Sequence, residues 1–197
     1  GVLLDRMARF KDKGYVLTGD NFIKILNLFQ RARLGLPIVV CGETGCGKTH
    51  LIDFLSSCLL GDEFRCYTMH AGVTQKQFIQ RMEEYVAVAQ RLDENRTRYE
   101  QNKDTLNDLI ADRLATGVDP EEDEQIIQLR TEQRALMENS KNNMDKKKKV
   151  WILIDEFNTS CHQSLIAELM VERRSSFSKK LAKIPDNVVF VGCCNPF

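Results

Sequence analysis

The sequence predicts an α/β fold, a mainly parallel sheet flanked by helices and interrupted by a charged helical insertion. Three observations predict it. Three short apolar runs, residues 38–41, 150–154 and 188–191, are of the unbroken kind that a buried strand requires, and residues 64–69 are a further candidate strand. Glycine punctuation and helical spacing separate 38–41 from 64–69, as a strand-loop-helix unit demands. Residues 81–149 hold 13 Lys/Arg and 16 Asp/Glu, against 27 charges in the other 128 residues, so that stretch is a solvated excursion from one core. The expected organisation is therefore 1–80 as the first part of the core, 81–149 as the insertion and 150–197 as the second part.

Taken in order, the first helix is capped by Thr18 or Asp20 and carries Phe22, Ile23, Leu26, Phe29 and, at its edge, Ala32 as its apolar stripe. Leu34-Gly35-Leu36-Pro37 stops it. The first strand follows, then a glycine loop, a helix over 50–60 and a second strand over 64–69. In the insertion, Phe78, Met82, Tyr85, Ala89, Leu92, Tyr99, Leu106 and Ile110 keep a heptad-like spacing that breaks at Arg96 and Lys103. Thr116-Gly117-Val118-Asp119-Pro120 reads as a turn. The acidic start at Glu121 opens a second helix with Ile126, Ile127, Leu129, Leu136 and Met137. A helical hairpin is the expectation, and a partly disordered excursion is the alternative. Lys146 to Lys149 read as a solvated linker end rather than a partner-binding patch or a nuclear signal.

Composition excludes several classes. A chain of 197 residues with 43% hydrophobic residues is one domain with a modest addition, able to bury a core. Lys+Arg and Asp+Glu are both 28, which removes the electrostatic footprint of a protein built to grip nucleic acid. No apolar run reaches the roughly 20 residues of a membrane span, and residues 1–10 lack the texture of a signal peptide. Cys41, Cys46, Cys58, Cys66, Cys161, Cys193 and Cys194 form no Cys-x-x-Cys pair, and His50, His70 and His162 do not complete a metal-ligand spacing around them. They read as small buried hydrophobes in a reducing compartment, the cytoplasm first and the nucleus second. Cys46 stands apart as a candidate reactive thiol, because it sits in the glycine loop beside a helix start.

That loop carries the chemistry. Gly42-Glu43-Thr44-Gly45-Cys46-Gly47-Lys48-Thr49 matches the phosphate-binding pattern at every position. Its glycines let successive N–H groups turn toward phosphates, Lys48 adds a charge near the β- and γ-phosphates, and the Thr49 hydroxyl can ligate Mg²⁺. The following helix, with His50 in its first turn, presents its positive end to the same anion. An apolar strand before the loop and an amphipathic helix after it supply the required context, against the alternative of a glycine turn that binds nothing. Val150-Trp151-Ile152-Leu153-Ile154-Asp155-Glu156 ends a buried strand in two carboxylates, at the end where open α/β sheets bind ligands. Asp155 suits Mg²⁺ through its water shell, and Glu156 is placed to polarise an attacking water. Asn195, just past the strand over 188–191, is a candidate to hold that water or the γ-phosphate, with a plain turn-forming Asn before Pro196 as the alternative.

Phosphate loop, Asp-Glu strand and strand-end Asn, in that order, resemble an AAA+ ATPase, its large subdomain in particular. Gly14-Tyr15-Val16-Leu17-Thr18, Pro37, His70-Ala71-Gly72 and Asp155-Glu156-Phe157-Asn158-Thr159-Ser160 narrow the resemblance to the dynein-like AAA+ core of mysterin-type giant E3 ubiquitin ligases. It covers about residues 14–80 and 150–197 and leaves 81–149 without a counterpart. The resemblance implies ATP and Mg²⁺ as cofactors. It assigns Gly42, Glu43, Thr44, Gly45, Cys46, Gly47, Lys48, Thr49 and His50 to the nucleotide, Thr49 and Asp155 to the metal, and Glu156, Lys48 and Asn195 to catalysis. It places Gly14–Thr18 near the adenine. It also implies neighbouring AAA+ modules as partners and a helical lid, a sensor-2 arginine and an arginine finger beyond residue 197, so the chain by itself is expected to turn over ATP feebly. Arg173 and Arg174 precede the sensor strand and read as exposed helix-end charges.

Two functions from different classes follow. One is an ATP-hydrolysing module of a larger, ubiquitin-ligating machine. The other is a regulatory module that holds ATP as structural glue, for which Glu156 would have no use. A third possibility makes 81–149 a protein-interaction arm, and a nucleic-acid motor is disfavoured by the balanced charge.

Overall fold

The computed structural model describes residues 2–12, 16–117, 119–121, 123–139 and 148–196. Gly14, Tyr15, Val118, Lys146 and Lys147, which belong to motifs above, lie outside them. Two compact units result, one of Gly1–Ala89 with Lys149–Phe197 and one of Gln90–Lys148.

The first unit is built on four strands, β1 (Ile38–Cys41), β2 (Glu63–Thr68), β3 (Val150–Asp155) and β4 (Val188–Cys194), in the order β1-β4-β3-β2 and parallel throughout. Cover on both faces is complete on the two central strands, where Val150 to Ile154 are all fully buried. By contrast β1, expected to be buried on both faces, lies at the sheet edge with Val39 and Cys41 exposed, and β2 at the other edge is half-buried. On one face, helix α1 (Val2–Asp12), helix α2 (Gly19–Arg33) and helix α3 (Lys48–Asp53), which runs on as a π-helical stretch over Phe54–Leu60, close a core around Trp151, Leu153 and Val191. The rings of Phe10 and Phe54 meet edge-on at 5.4 Å within it. On the other face, Phe78 tilts against Tyr67 at 5.9 Å, and Phe157 and Met170 close so tightly over Gly192 that a Cβ there would meet Phe157 at 3.0 Å. Trp151 donates its indole N–H to Asp62 at 3.0 Å, which satisfies the one polar atom of the largest core side chain.

α2 begins where Thr18 accepts the N–H of Asn21 at 3.2 Å, so Thr18 rather than Asp20 is the cap. Its buried stripe differs from the expected one. Ile25, Leu28 and Ala32 face the core, while Phe22, Ile23 and Leu26 are exposed. Two apolar stripes of helical spacing coexist on this helix, and the one that continues to Ala32 packs against α3 and β1. α1 is an element beyond those expected, and of its residues Leu3, Leu4, Met7 and Phe10 only Phe10 is buried.

Helix α4 spans Gln75–Thr116 and passes from the first unit into the second. In the first unit it buries Phe78, Met82, Val86 and Ala89 at helical spacing. In the second, Leu106 is buried on α4, and Ile126 on helix α5 (Glu124–Asn139), while Ile127 of the expected apolar set is exposed. Arg113 pairs with Asp123 at 2.6 Å, and Glu132 accepts from Asn102 at 3.2 Å and pairs with Arg98 at 3.5 Å. Helix α6 (Gln163–Ala167) continues as a π-helical stretch over Glu168–Glu172.

Two further expectations are corrected. All seven cysteines are free, but only Cys58 and Cys193 are buried, while Cys41, Cys46 and Cys161 are exposed. The exposed three sit at a strand end and in loops, where apolar neighbours in sequence do not become neighbours in space. Arg173 is not an exposed helix-end charge. Its backbone is left-handed (φ 54) and its guanidinium, half-buried, donates to the carbonyls of Pro185 at 2.6 Å and Val188 at 3.1 Å. Burial pushes its pKa down, and Asp186 opposes that. Arg174 is exposed and pairs with Glu172.

Candidate nucleotide site

Strand order assembles the site. β4 lies between β1 and β3, so the three carboxyl ends bring residues from 42–49, 155–156 and 195 to one edge of the sheet. The ladder continues one step past β1, where Gly42 donates its N–H to the Cys194 carbonyl at 3.2 Å. The chain then leaves the sheet in a turn closed by Cys46 N–H on the Glu43 carbonyl at 3.3 Å. Gly45 (φ 80) and Gly47 (φ 84) are both left-handed, which reverses the loop within three residues; a side chain at either would be strained. α3 follows directly, with Leu51 N–H on the Gly47 carbonyl at 2.9 Å. A helix N-terminus therefore stands behind the loop, with its free N–H groups toward the edge of the sheet.

Lys48 lies across this loop. Its ammonium donates to the carbonyls of Gly42 at 2.6 Å and Glu43 at 3.0 Å and to Asn195 Oδ1 at 3.0 Å. Thr49 donates its hydroxyl to Asp155 Oδ2 at 2.9 Å. The other carboxylate oxygen, Oδ1, accepts the N–H of Glu156 at 3.0 Å. Glu156 itself is left-handed (φ 53), a conformation that a residue with a Cβ adopts at a cost of about 1–3 kcal/mol and which sites of chemistry tend to hold. Asp155 makes its charge felt in the sheet: it helps push the thiols of Cys193 and Cys66 up, after burial, the first to about 12.

Beside the loop is a cavity of about 360 Å³. Cys46, Gly47, Lys48 and His50 line it on the loop side, and Val16, Asn21 and Lys24 complete the lining. Val16 belongs to the segment expected near adenine. Asn21 and Lys24 were not anticipated; the only sequence signal was two polar residues three apart on the first turns of the helix preceding the loop. Glu43 contributes its carbonyl and Thr44 stays exposed at the tip. Neither Arg173 nor Arg174 reaches the site.

The oxygen pair Thr49–Asp155 fits Mg²⁺, a hard ion that takes one or two protein oxygens and fills its other positions with phosphate and water. Among the described residues, no group of three or more His, Cys, Asp or Glu could hold a metal ion.

A family model described as RNF213 AAA domain matches residues 15–113, which include the phosphate loop but not Asp155, Glu156 or Asn195. The E3 ubiquitin-protein ligase RNF213 of Homo sapiens is 44% identical over 82 residues, 40% of this chain and 2% of that protein. Its Mus musculus counterpart is 40% identical over 77 residues, 37% of this chain and 2% of that protein. E3 ubiquitin-protein ligase rnf213-beta of Danio rerio is 37% identical over 94 residues, 45% of this chain and 2% of that protein. The matched part of the chain thus spans a small fraction of each relative.

Proposed function

The chain belongs to the RNF213 AAA-domain family, and from that premise we propose that it binds Mg²⁺-ATP and hydrolyses it by attack of water on the γ-phosphate, within a larger ubiquitin-ligating protein. The observation that carries the reading is the convergence of Lys48, Thr49, Asp155, Glu156 and Asn195 at one sheet edge beside a cavity of about 360 Å³.

Each residue has a role that its contacts support. Gly42 to Gly47 present backbone N–H groups to the phosphates, and Gly45 and Gly47 make the reversal that aims them. Lys48 is already moored over the loop by two carbonyls, so its ammonium is positioned before phosphate arrives. Thr49 and Asp155 would hold Mg²⁺, which would supply charge neutralisation to the phosphates. Asp155 also fixes the Glu156 backbone through its N–H, which leaves the Glu156 carboxylate to orient and deprotonate water. Asn195, oriented by Lys48, is the polar amide next to the γ-phosphate. Arg173 and Arg174 are engaged elsewhere, so neither is the arginine finger, whose contribution in phosphate-loop enzymes is on the order of 10³–10⁵ in rate. No helix among the described residues is long and apolar enough to cross a membrane, and the reading places the module in the cytoplasm without nucleic acid.

Calorimetry of Mg²⁺-ATP binding tests it, on the unsubstituted chain beside Lys48→Ala and Glu156→Gln. Binding is expected in the first, lost in the second and kept in the third, whose residual turnover disappears. No binding by the unsubstituted chain, or turnover that survives Glu156→Gln, overturns the hydrolytic assignment.

A further inference from the structure

We propose that Cys41 and Cys194 form a thiol-modification site, which a hydroperoxide closes to a reversible disulfide at the base of the phosphate loop.

Cys41 ends β1 and Cys194 ends β4, and the two are Cα partners in the parallel ladder. In-register residues of parallel neighbours project from the same face, and adjacent strands lie about 4.8 Å apart. That spacing falls within the Cα separation of about 4.4–6.8 Å that a disulfide spans. The bond from Gly42 N–H to the Cys194 carbonyl, 3.2 Å, carries the ladder past the pair, so the backbone already holds the two sulfurs side by side. The preceding pair, Val40 and Cys193, points the other way into the core, and Cys193 has no exposed surface. Cys41 is exposed and Cys194 half-buried. Burial, then a hydrogen bond with the Cys41 thiol, pushes Cys194 up. The roles divide accordingly: Cys41 meets the oxidant and Cys194 resolves.

The chemistry balances with hydrogen peroxide as the oxidant. Cys41 sulfur attacks one peroxide oxygen, the O–O bond breaks, and the other oxygen leaves as water with the thiol proton. The product is a sulfenic acid on Cys41. Cys194 sulfur attacks that sulfur, the S–S bond forms, the S–O bond breaks, and the hydroxyl leaves as water with the Cys194 proton. Two thiols lose two electrons and two protons, and one peroxide becomes two waters. A dithiol reductant reverses the process.

The consequence for ligand rests on the nucleotide reading above. Cys41 and Lys48 both line the cavity, and Gly42, the next residue, supplies the 2.6 Å carbonyl that moors Lys48. A disulfide that draws Cys41 toward β4 moves that mooring. By reciprocity, nucleotide in the cavity must oppose oxidation to the same degree.

Peptide mapping after hydrogen peroxide tests the pair on the 197-residue chain. A Cys41–Cys194 linked peptide is expected, retained in Cys46→Ser and lost in Cys194→Ser. A Cys41–Cys46 linkage, or Cys41 accumulating as sulfinic acid with Cys194 free, overturns the proposal. Phenylarsine oxide, which bridges proximal thiols, reads the same geometry without substitution: one arsenic masking both sulfurs supports it, and independent labelling overturns it. A fluorescent ATP analogue reads the consequence. Affinity is expected to fall about tenfold or more on oxidation, to return with dithiothreitol, and not to change with peroxide in Cys194→Ser. Equal affinity in both redox states overturns the coupling. Failure of the reduced chain to bind the analogue overturns the nucleotide reading instead, and the peptide map alone then decides the pair.

Discussion

The ammonium of Lys48 donates to the side-chain oxygen of Asn195 at 3.0 Å, joining residues 147 apart in sequence. With the carbonyls of Gly42 and Glu43 it forms a set of three acceptors for three ammonium protons, the full complement of a lysine. The Asn195 amide oxygen is thereby committed to the lysine, and its NH₂ group is the part left for a ligand. The link between the glycine loop and the strand-end amide is thus a direct side-chain contact.

Asn195 variants should therefore separate two effects. Asn195→Ala removes the amide and leaves Lys48 on two carbonyls. ATP affinity should change only a few-fold, while turnover drops on the order of 10²–10³, as for other preorganised donors. Asn195→Asp places an anion against Lys48 and near the γ-phosphate, and should weaken ATP binding further than Asn195→Ala does. Equal affinities for the two variants, by fluorescence titration, would sink this assignment.

Gly42 should resist substitution for a steric reason rather than a conformational one. A Cβ built there meets the Cys46 sulfur at 2.9 Å and Lys48 Cδ at 3.6 Å. Because that sulfur ends an exposed side chain, Gly42→Ala should cost at most about 1 kcal/mol, and Cys46→Ala in the same chain should recover part of it. Urea denaturation of the two single variants and the double variant measures the coupling; strictly additive effects would show that the sulfur is not the obstacle.

The residues that converge at this candidate site were legible because a phosphate loop needs fixed residue types at fixed spacing. Lys48, Thr49 and the glycines follow from one loop pattern, and Asp155 and Glu156 from a strand that ends in two carboxylates. The parallel sheet, too, was written in unbroken apolar runs such as Val150 to Ile154. What stayed hidden depends on which face a residue turns. α2 offers two apolar stripes, and only packing selects Ile25, Leu28 and Ala32 over Phe22, Ile23 and Leu26. Asn21 and Lys24 reach the cavity because α2 lies beside the loop, a tertiary fact without a local signature. Arg173 turns inward through a positive φ that no arginine advertises. The cysteines misled because apolar sequence neighbours are a weak guide to burial at strand ends, where Cys41 and Cys194 emerge.

The second compact unit should lose stability in acid through Asp123. Its carboxylate is held below the ordinary aspartate range, first by the Arg113 hydrogen bond and then by the N–H groups of Gln125 and Ile126, which it caps at 2.8 and 3.3 Å. A depressed folded pKa contributes stability that is present above the unfolded value and is lost as pH falls through the folded one. The helical signal of the unsubstituted chain should thus become easier to melt as pH drops below the ordinary carboxylate range. Asp123→Asn keeps a capping oxygen but no charge, so its deficit relative to the parent should be largest near neutrality and shrink in acid. A deficit that does not vary with pH, in melts followed by circular dichroism, would refute the charged contact.

Thiol reactivity gives the most direct reading of where the nucleotide sits. Cys46 is exposed in the phosphate loop and lines the cavity beside Lys48, whereas Cys193 is fully buried with its thiol pushed up to about 12. Only thiolate reacts, so at pH 8 iodoacetamide should modify Cys46 and leave Cys193 intact in the folded chain. Mg²⁺-ATP should slow Cys46 modification in proportion to occupancy, because the phosphates fill the concavity that the sulfur borders. Cys161 is also exposed but takes no part in the loop, and its rate should not respond to nucleotide. That contrast makes Cys161 the internal control: protection of both thiols would indicate a general tightening of the fold, and protection of neither would place the nucleotide away from the loop.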